Sequence, residues 1–317
     1  MLLDWYESGL GMVEQPLLDE SKRLVLGCGM GGSGFSLLAV SPLVGERYPF
    51  IVRRSMIPPQ YLSNRDTVVA VSYSGETKET IECVERSMAI GVARVGGIAG
   101  RASSLARLLT GKGFPVVTVE KTGYPRSSLA QLVGGLLALL YAGKIERVVE
   151  EAASLLDSSK ASEEASLIAE AVYNQGEVLV PVVVSCGELG FTAERWATEF
   201  SENTKHPALP EIYPEAGHNY IARWYYTRGP YQVIYIDFAD EGLCGIAKEY
   251  VLSRYPSVKE PIILDYRELA KRNKLAAVLQ AAMTAGVATV ELASKMGRNP
   301  EVIEAIDEYK RMVKGKG

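Results

Sequence analysis

Residues 22–34 read KRLVLGCGMGGSG and residues 67–80 read TVVAVSYSGETKET, and these two stretches decide the fold. Each begins as a short, continuous apolar run and breaks into small or hydroxyl-bearing residues just ahead of a helical pattern. A strand, a Gly/Ser loop and a helix N-terminus form a cradle for phosphate. The loop N–H groups point at the anion, and the helix dipole favours negative charge. Two such cradles about one βαβ unit apart point to a ligand with a phosphate on a small body.

Outward from these stretches, strand-like runs fall at Leu24–Gly27, Phe50–Arg53, Thr67–Ser72, Ala93–Ile98 and Pro115–Val119, with helical patterns at 33–43, 76–91, 102–110 and 127–142. The strand runs are continuous rather than alternating, as expected where helices cover both faces. Strand–helix alternation predicts a parallel sheet with right-handed crossovers. Residues 144–177 are polar, alanine-rich and helical, and the junction between two domains, 1–150 and 151–317, is placed within them. A second cycle then follows, with strands at Val178–Ser185, Gln232–Phe238 and Ile262–Leu264 and helices at 189–202 and 245–254. A long helix over 266–295 is ended by Arg298-Asn299-Pro300, and a last helix runs from 301 to about 312. The fold class is therefore α/β, two similar halves, although no repeat is visible in the letters. Ser185-Cys186-Gly187 stands where the first half has its glycine loop, without a full cradle, so the halves are expected to do different jobs.

Gly27, Gly29 and Gly32 match the GxGxxG dinucleotide fingerprint, but the next strand ends in Arg53-Arg54-Ser55 rather than the acidic residue that binds ribose hydroxyls. An arginine there leaves an NADP reading open. No GK[ST] follows, which excludes a Walker A loop. Gly32 and Ser33 add flexible backbone and a hydroxyl, better suited to a compact phosphosugar than to a pyrophosphate. Ser72, Ser74 and Thr77 place three hydroxyls where they can converge on one anion. Helix capping needs only one of them.

The 317 residues are 47% apolar and 23% charged, an ordinary globular composition. A net charge of −4 supplies no basic excess for nucleic acid. No apolar run of about 18 residues is evident, so no membrane span is expected. The first residues, MLLDWYESGL, lack the basic start of a signal peptide, and a cytoplasmic location is expected. Cys28, Cys83, Cys186 and Cys244 form no CxxC and are expected to be buried free thiols. Disulfides would suit an intracellular protein only in a hyperthermophile. Asn and Gln are sparse, as in heat-adapted proteins. The two histidines, His206 and His218, fit no metal motif.

GMGGSG at 29–34 with SYSGET at 72–77 resembles the sugar isomerase (SIS) domain family. TGYPRSSLAQL at 122–132, ENTKHPALPEIYPEAGHNYI at 202–221 and IDEYK at 306–310 are similar to the archaeal-type bifunctional phosphoglucose/phosphomannose isomerases, in that family's order. The resemblance implies two SIS domains, each an α-β-α sandwich, and a homodimer acting on a phosphorylated hexose without metal or organic cofactor. It implies aldose–ketose isomerisation of glucose 6-phosphate or mannose 6-phosphate to fructose 6-phosphate through a cis-enediolate. It assigns the base to Glu202, with Glu199 in reserve, and ring opening to His218 from the neighbouring subunit, helped by Lys310. Arg126 becomes the cation beside the enediolate oxygens, and Gly32, Ser33, Ser72, Ser74 and Thr77 the phosphate site. His206 is left structural.

Two positions depart from the pattern. Ile303 stands seven residues before Lys310, where relatives can carry a polar side chain that accommodates both C2 epimers. Gly217, before His218, can be larger in relatives. A non-catalytic phosphosugar sensor and an isomerase of another sugar phosphate remain open at this level.

Overall fold

The computed structural model describes residues 1–315 except Glu20, Lys22 and Thr122. Lys22 and Thr122 open two of the stretches quoted above and lie outside the described residues. Two compact units are present.

The first unit takes in Met1–Leu156 and Asn273–Leu279. Its elements are α1 (Leu2–Leu10), β1 (Leu24–Gly29), α2 (Gly31–Gly45), β2 (Phe50–Arg53), β3 (Asp66–Ser72), α3 (Lys78–Ile90), β4 (Arg94–Gly100), α4 (Ser104–Gly111), β5 (Val116–Val119), α5 (Leu129–Tyr141) and α6 (Glu146–Leu155). The strands form one parallel sheet in the order β2-β1-β3-β4-β5. β1 and β3 are buried along their whole lengths, which explains why their sequences do not alternate: helices cover both faces. On one face Leu26, Val68 and Ala70 pack with Val84, Leu105 and Leu109. The strand order reverses between β1 and β3, and in open α/β sheets ligands bind at the carboxyl ends beside such a switch point. Both hydroxyl-rich loops leave the sheet there.

The second unit takes in Asp157–Arg272 and the chain from Gln280 onward. It contains α7 (Ser158–Val172), a hairpin of β6 (Tyr173–Asn174) and β7 (Glu177–Val178), β8 (Val180–Cys186), α8 (Thr192–Glu199), β9 (Leu209–Tyr213), α9 (Ile221–Tyr226), β10 (Tyr231–Asp237), α10 (Gly242–Arg254), β11 (Ile262–Asp265), α11 (Arg267–Arg272), the part of α12 (Lys274–Lys295) from Gln280 on, and α13 (Glu304–Gly315). Its parallel sheet runs β11-β10-β8-β9. Counted from its own first long strand this is the order 2-1-3-4, the same as the first four strands of the other sheet. The two similar halves are therefore real in topology although absent from the letters.

Three expectations need correction. The helix foreseen over 266–295 is two helices, because Asn273 leaves the helix and its Oδ1 accepts from Ala276 N at 3.0 Å, capping α12. Second, α12 is long and apolar enough by length and composition to cross a membrane, and 72% of its most apolar stretch is buried inside the fold. Gln280 and Thr284 interrupt the apolar run in the sequence, and its burial is that of a core helix. Third, the cysteines are not free. Cys28 is bonded to Cys83 and Cys186 to Cys244, with Cα–Cα separations of 6.4 and 5.6 Å. The partners lie 55 and 58 residues apart in sequence, so no short motif announces them. Each bridge ties the first long strand of a sheet (β1, β8) to the helix after the strand across the switch point (α3, α10).

Candidate functional site

The carboxyl ends of β1 and β3 are joined side by side. α2 starts at Gly31 with Met30 as an extended N-cap that makes no side-chain cap, and its first turn has no acidic residue. The first-turn N–H groups of Gly31, Gly32 and Ser33 thus have no intrahelical acceptor, the setting in which a helix N-terminus can take an anion. A Cβ at Gly34 would stand 2.8 Å from Gly29 O, so only glycine lets the helix begin this close to the strand. Ser33 Oγ accepts from Tyr73 N at 3.0 Å, which pins the α2 start to the β3 loop.

That loop is shaped by its own hydroxyls. Ser72 Oγ accepts from Gly75 N and donates to Thr77 Oγ1, each at 3.0 Å, and Ser74 Oγ accepts from Glu76 N at 3.2 Å. Gly75 has φ +67°, and a Cβ there would fall 1.8 Å from Ser103 Oγ. The Glu76 carboxylate accepts from Ser104 N (2.9 Å) and Ser104 Oγ (2.7 Å) at the start of α4, and these bonds hold its pKa below the usual carboxylate range. Ser33 and Ser72 are buried, whereas Ser74 and Thr77 retain open surface. Thr77 is the N-cap residue of α3 but makes no side-chain cap, so capping does not account for its hydroxyl.

Arg126 sits in a 3-10 turn, Pro125–Ser128, fixed by Tyr124 N donating to Ser127 Oγ at 3.2 Å. Its guanidinium lies 4.6 Å from the centre of the Tyr124 ring. Tyr73 brings this segment onto the loop after β3: its hydroxyl donates to Gly123 O at 3.0 Å and accepts from Gly123 N at 3.1 Å. Sequence reasoning gave Tyr73 no role, since its partner is 50 residues away and no local pattern marks the pair.

Glu202, His218 and Lys310 belong to the second unit. Glu202 lies at the middle of a π-helical turn, Phe200–Thr204, that continues α8, and is half-buried. Such turns are rare and frequent at functional sites. Glu199 is different: it is 3% exposed, paired with Arg195 at 4%, and its Oε2 accepts from Asn203 Nδ2 at 2.9 Å. A carboxylate so engaged is a structural anchor. Asn203 also donates to Thr289 Oγ1 at 2.8 Å, tying the π turn to α12. His218 ends the 3-10 turn Glu215–His218 and is exposed. A Cβ at Gly217 would lie 3.3 Å from the Tyr213 ring. Lys310 is exposed on α13, and Ile303 caps that helix, its carbonyl accepting from Ile306 N (2.9 Å) and Asp307 N (3.1 Å). His206 is half-buried, and burial pushes its pKa below the ordinary value. Among the described residues, no group of three or more His, Cys, Asp or Glu side chains is placed to hold a metal ion.

Residues 161–313 match the family profile described as the bacterial phospho-glucose isomerase C-terminal SIS domain. The chain is 31% identical over 222 residues to the bifunctional phosphoglucose/phosphomannose isomerase of Thermoplasma volcanium, covering 68% of this chain and 70% of that one. It is 30% identical over 295 residues to the protein of the same description from Aeropyrum pernix, covering 90% and 87%. The fold is shared with tagatose-6-phosphate ketose/aldose isomerase from Escherichia coli, with a TM-score of 0.64 at 15% identity over 95% of this chain and 90% of the other.

Proposed function

The chain belongs to the bifunctional phosphoglucose/phosphomannose isomerase family and is a sugar-phosphate isomerase, and on that premise we propose that it interconverts glucose 6-phosphate or mannose 6-phosphate with fructose 6-phosphate. The convergence of the two hydroxyl loops at the β1/β3 switch point, with Ser33 Oγ holding Tyr73 N at 3.0 Å, carries the reading. The substrate phosphate rests on the first-turn N–H groups of α2, at Gly32 and Ser33, and on the Ser72–Thr77 loop, where Ser74 and Thr77 offer open hydroxyls. His218, supplied by the neighbouring copy in a homodimer, opens the sugar ring with help from Lys310. The Glu202 carboxylate takes the proton from C2 of the open aldose, leaving a cis-enediolate, and returns it to C1 while the hydroxyl proton passes from O2 to O1, which gives the ketose. Arg126 lowers the energy of the enediolate oxygens. No metal or redox cofactor enters this scheme. Two disulfides in a protein acting in the cytoplasm fit the hyperthermophile exception to reducing cytosols.

The test is incubation with fructose 6-phosphate in EDTA, with glucose 6-phosphate and mannose 6-phosphate assayed separately. Both products are expected. Glucose 6-phosphate alone would keep the mechanism and make Ile303 the residue that narrows specificity. Neither product, from folded protein that binds the sugar phosphate, would make isomerisation of another sugar phosphate, or binding alone, the better reading.

A further inference from the structure

We infer that Glu211, acting through Arg223, is a positioning residue for His218; the inference rests on the ring-opening role proposed above. Glu211 is a wholly buried carboxylate in the middle of β9. Its Oε1 accepts from Arg223 Nη2 (2.6 Å), Arg223 Nε (3.2 Å) and Trp224 Nε1 (2.8 Å), and its Oε2 from the Tyr255 hydroxyl (2.5 Å). A buried carboxylate is costly unless fully bonded, and here both oxygens are bonded. Three of its four bonds go to α9, the helix that begins three residues after His218.

The clamp reaches the histidine from that side. The Arg223 guanidinium lies 4.7 Å from the centre of the Tyr220 ring and 4.9 Å from that of Trp224. Trp224 is 2% exposed, with ring centres 5.2 Å from Tyr231 and 5.0 Å from Tyr255. Between Tyr220 and His218 stands Asn219, whose Oδ1 accepts from Tyr220 N at 2.6 Å and whose Nδ2 donates to Glu215 Oε1 at 2.7 Å. On its other flank the turn leaves β9 directly after Tyr213, whose hydroxyl is 2.8 Å from that of Tyr255. His218 is exposed and, among the described residues, makes no side-chain hydrogen bond of its own. Its placement therefore comes from its two flanks, and both converge on Glu211 and Tyr255. Arginine's planar fork is what lets one side chain hold the carboxylate and stack on two rings.

The experiment measures kcat and KM for fructose 6-phosphate, with melting curves, in Glu211→Gln and Arg223→Lys, each in the wild-type and the His218→Asn background. Each is expected to lower kcat on the order of 10-fold with KM changed by less than about two-fold, as for small misplacements of a catalytic group. In the His218→Asn background neither should lower kcat further. Equal losses in both backgrounds, or activity falling only in step with folded fraction, would overturn the clamp. Harmless Glu211→Gln and Arg223→Lys beside a crippled His218→Asn would overturn the clamp and leave His218 in place. A fully active His218→Asn would overturn both. Should Glu211→Gln not fold, Arg223→Lys decides alone, because the Arg223 side chain is 36% exposed and tolerates exchange.

Discussion

Glu199 and Glu202 lie within one helical turn of each other, and their surroundings give them different jobs. Glu199 is locked to Arg195 and Asn203 in the interior, so Glu199→Gln should cost about 3–5 kcal/mol, the usual penalty for leaving one half of a buried pair uncompensated. Denaturant unfolding will read this as a lower midpoint, while the protein that remains folded keeps its turnover. Glu202→Gln should do the reverse, lowering kcat on the order of 10³-fold, within the range of a lost general base, with KM and melting nearly unchanged. A wild-type kcat would move the base elsewhere. His206 carries a pH prediction. Its folded pKa is depressed by burial, so the unfolded chain binds more protons as pH falls below about 6.5. Stability should therefore decline as pH drops through that value, and His206→Asn should flatten the decline; an unchanged pH profile of the melting temperature would contradict it.

Among elements, the hydroxyls of the loop after β3 differ in how far they are buried and engaged. Ser72 is buried and spends its hydroxyl on Gly75 and Thr77, whereas Ser74 and Thr77 keep open surface. Ser74→Ala with Thr77→Ala should raise KM for sugar phosphates on the order of 10-fold, at about 1–2 kcal/mol for charge-assisted bonds to phosphate, with kcat little altered. An unchanged KM would reduce the loop to a helix start. The loops and the eight long strand positions were legible in the sequence because apolar runs and turn residues are local signals. β9 was not: LPEIY contains a proline, and its central glutamate reads as surface although it is the bonded centre of the interior. Asn273 was missed because apolar periodicity continues across it from α11 into α12, and only its side-chain cap marks the break. Tyr73 and Glu211 were illegible for a related reason, since most of their partners are distant in the chain.

At the scale of the molecule, two sheets with the same strand order each carry a disulfide in the same place. A bridge closing a loop of this length contributes about 2–4 kcal/mol. Reduction with a phosphine should lower the midpoint of each unit on the order of 10 °C, and scanning calorimetry of Cys28→Ser/Cys83→Ser and Cys186→Ser/Cys244→Ser variants will separate the two. A reductant-insensitive melt would make the bridges energetically idle. The first unit is also not one stretch of chain: it includes Asn273–Leu279. There Asn273 Nδ2 donates to Val148 O at 3.3 Å, and Leu275, Ala276, Ala277 and Val278 are buried. Chains emerge from the ribosome N-terminus first, and domains tend to fold in that order. Here the opening half must wait, its seat for the start of α12 uncovered, while residues 157–272 are made, so the order of synthesis and the order of completion are not the same.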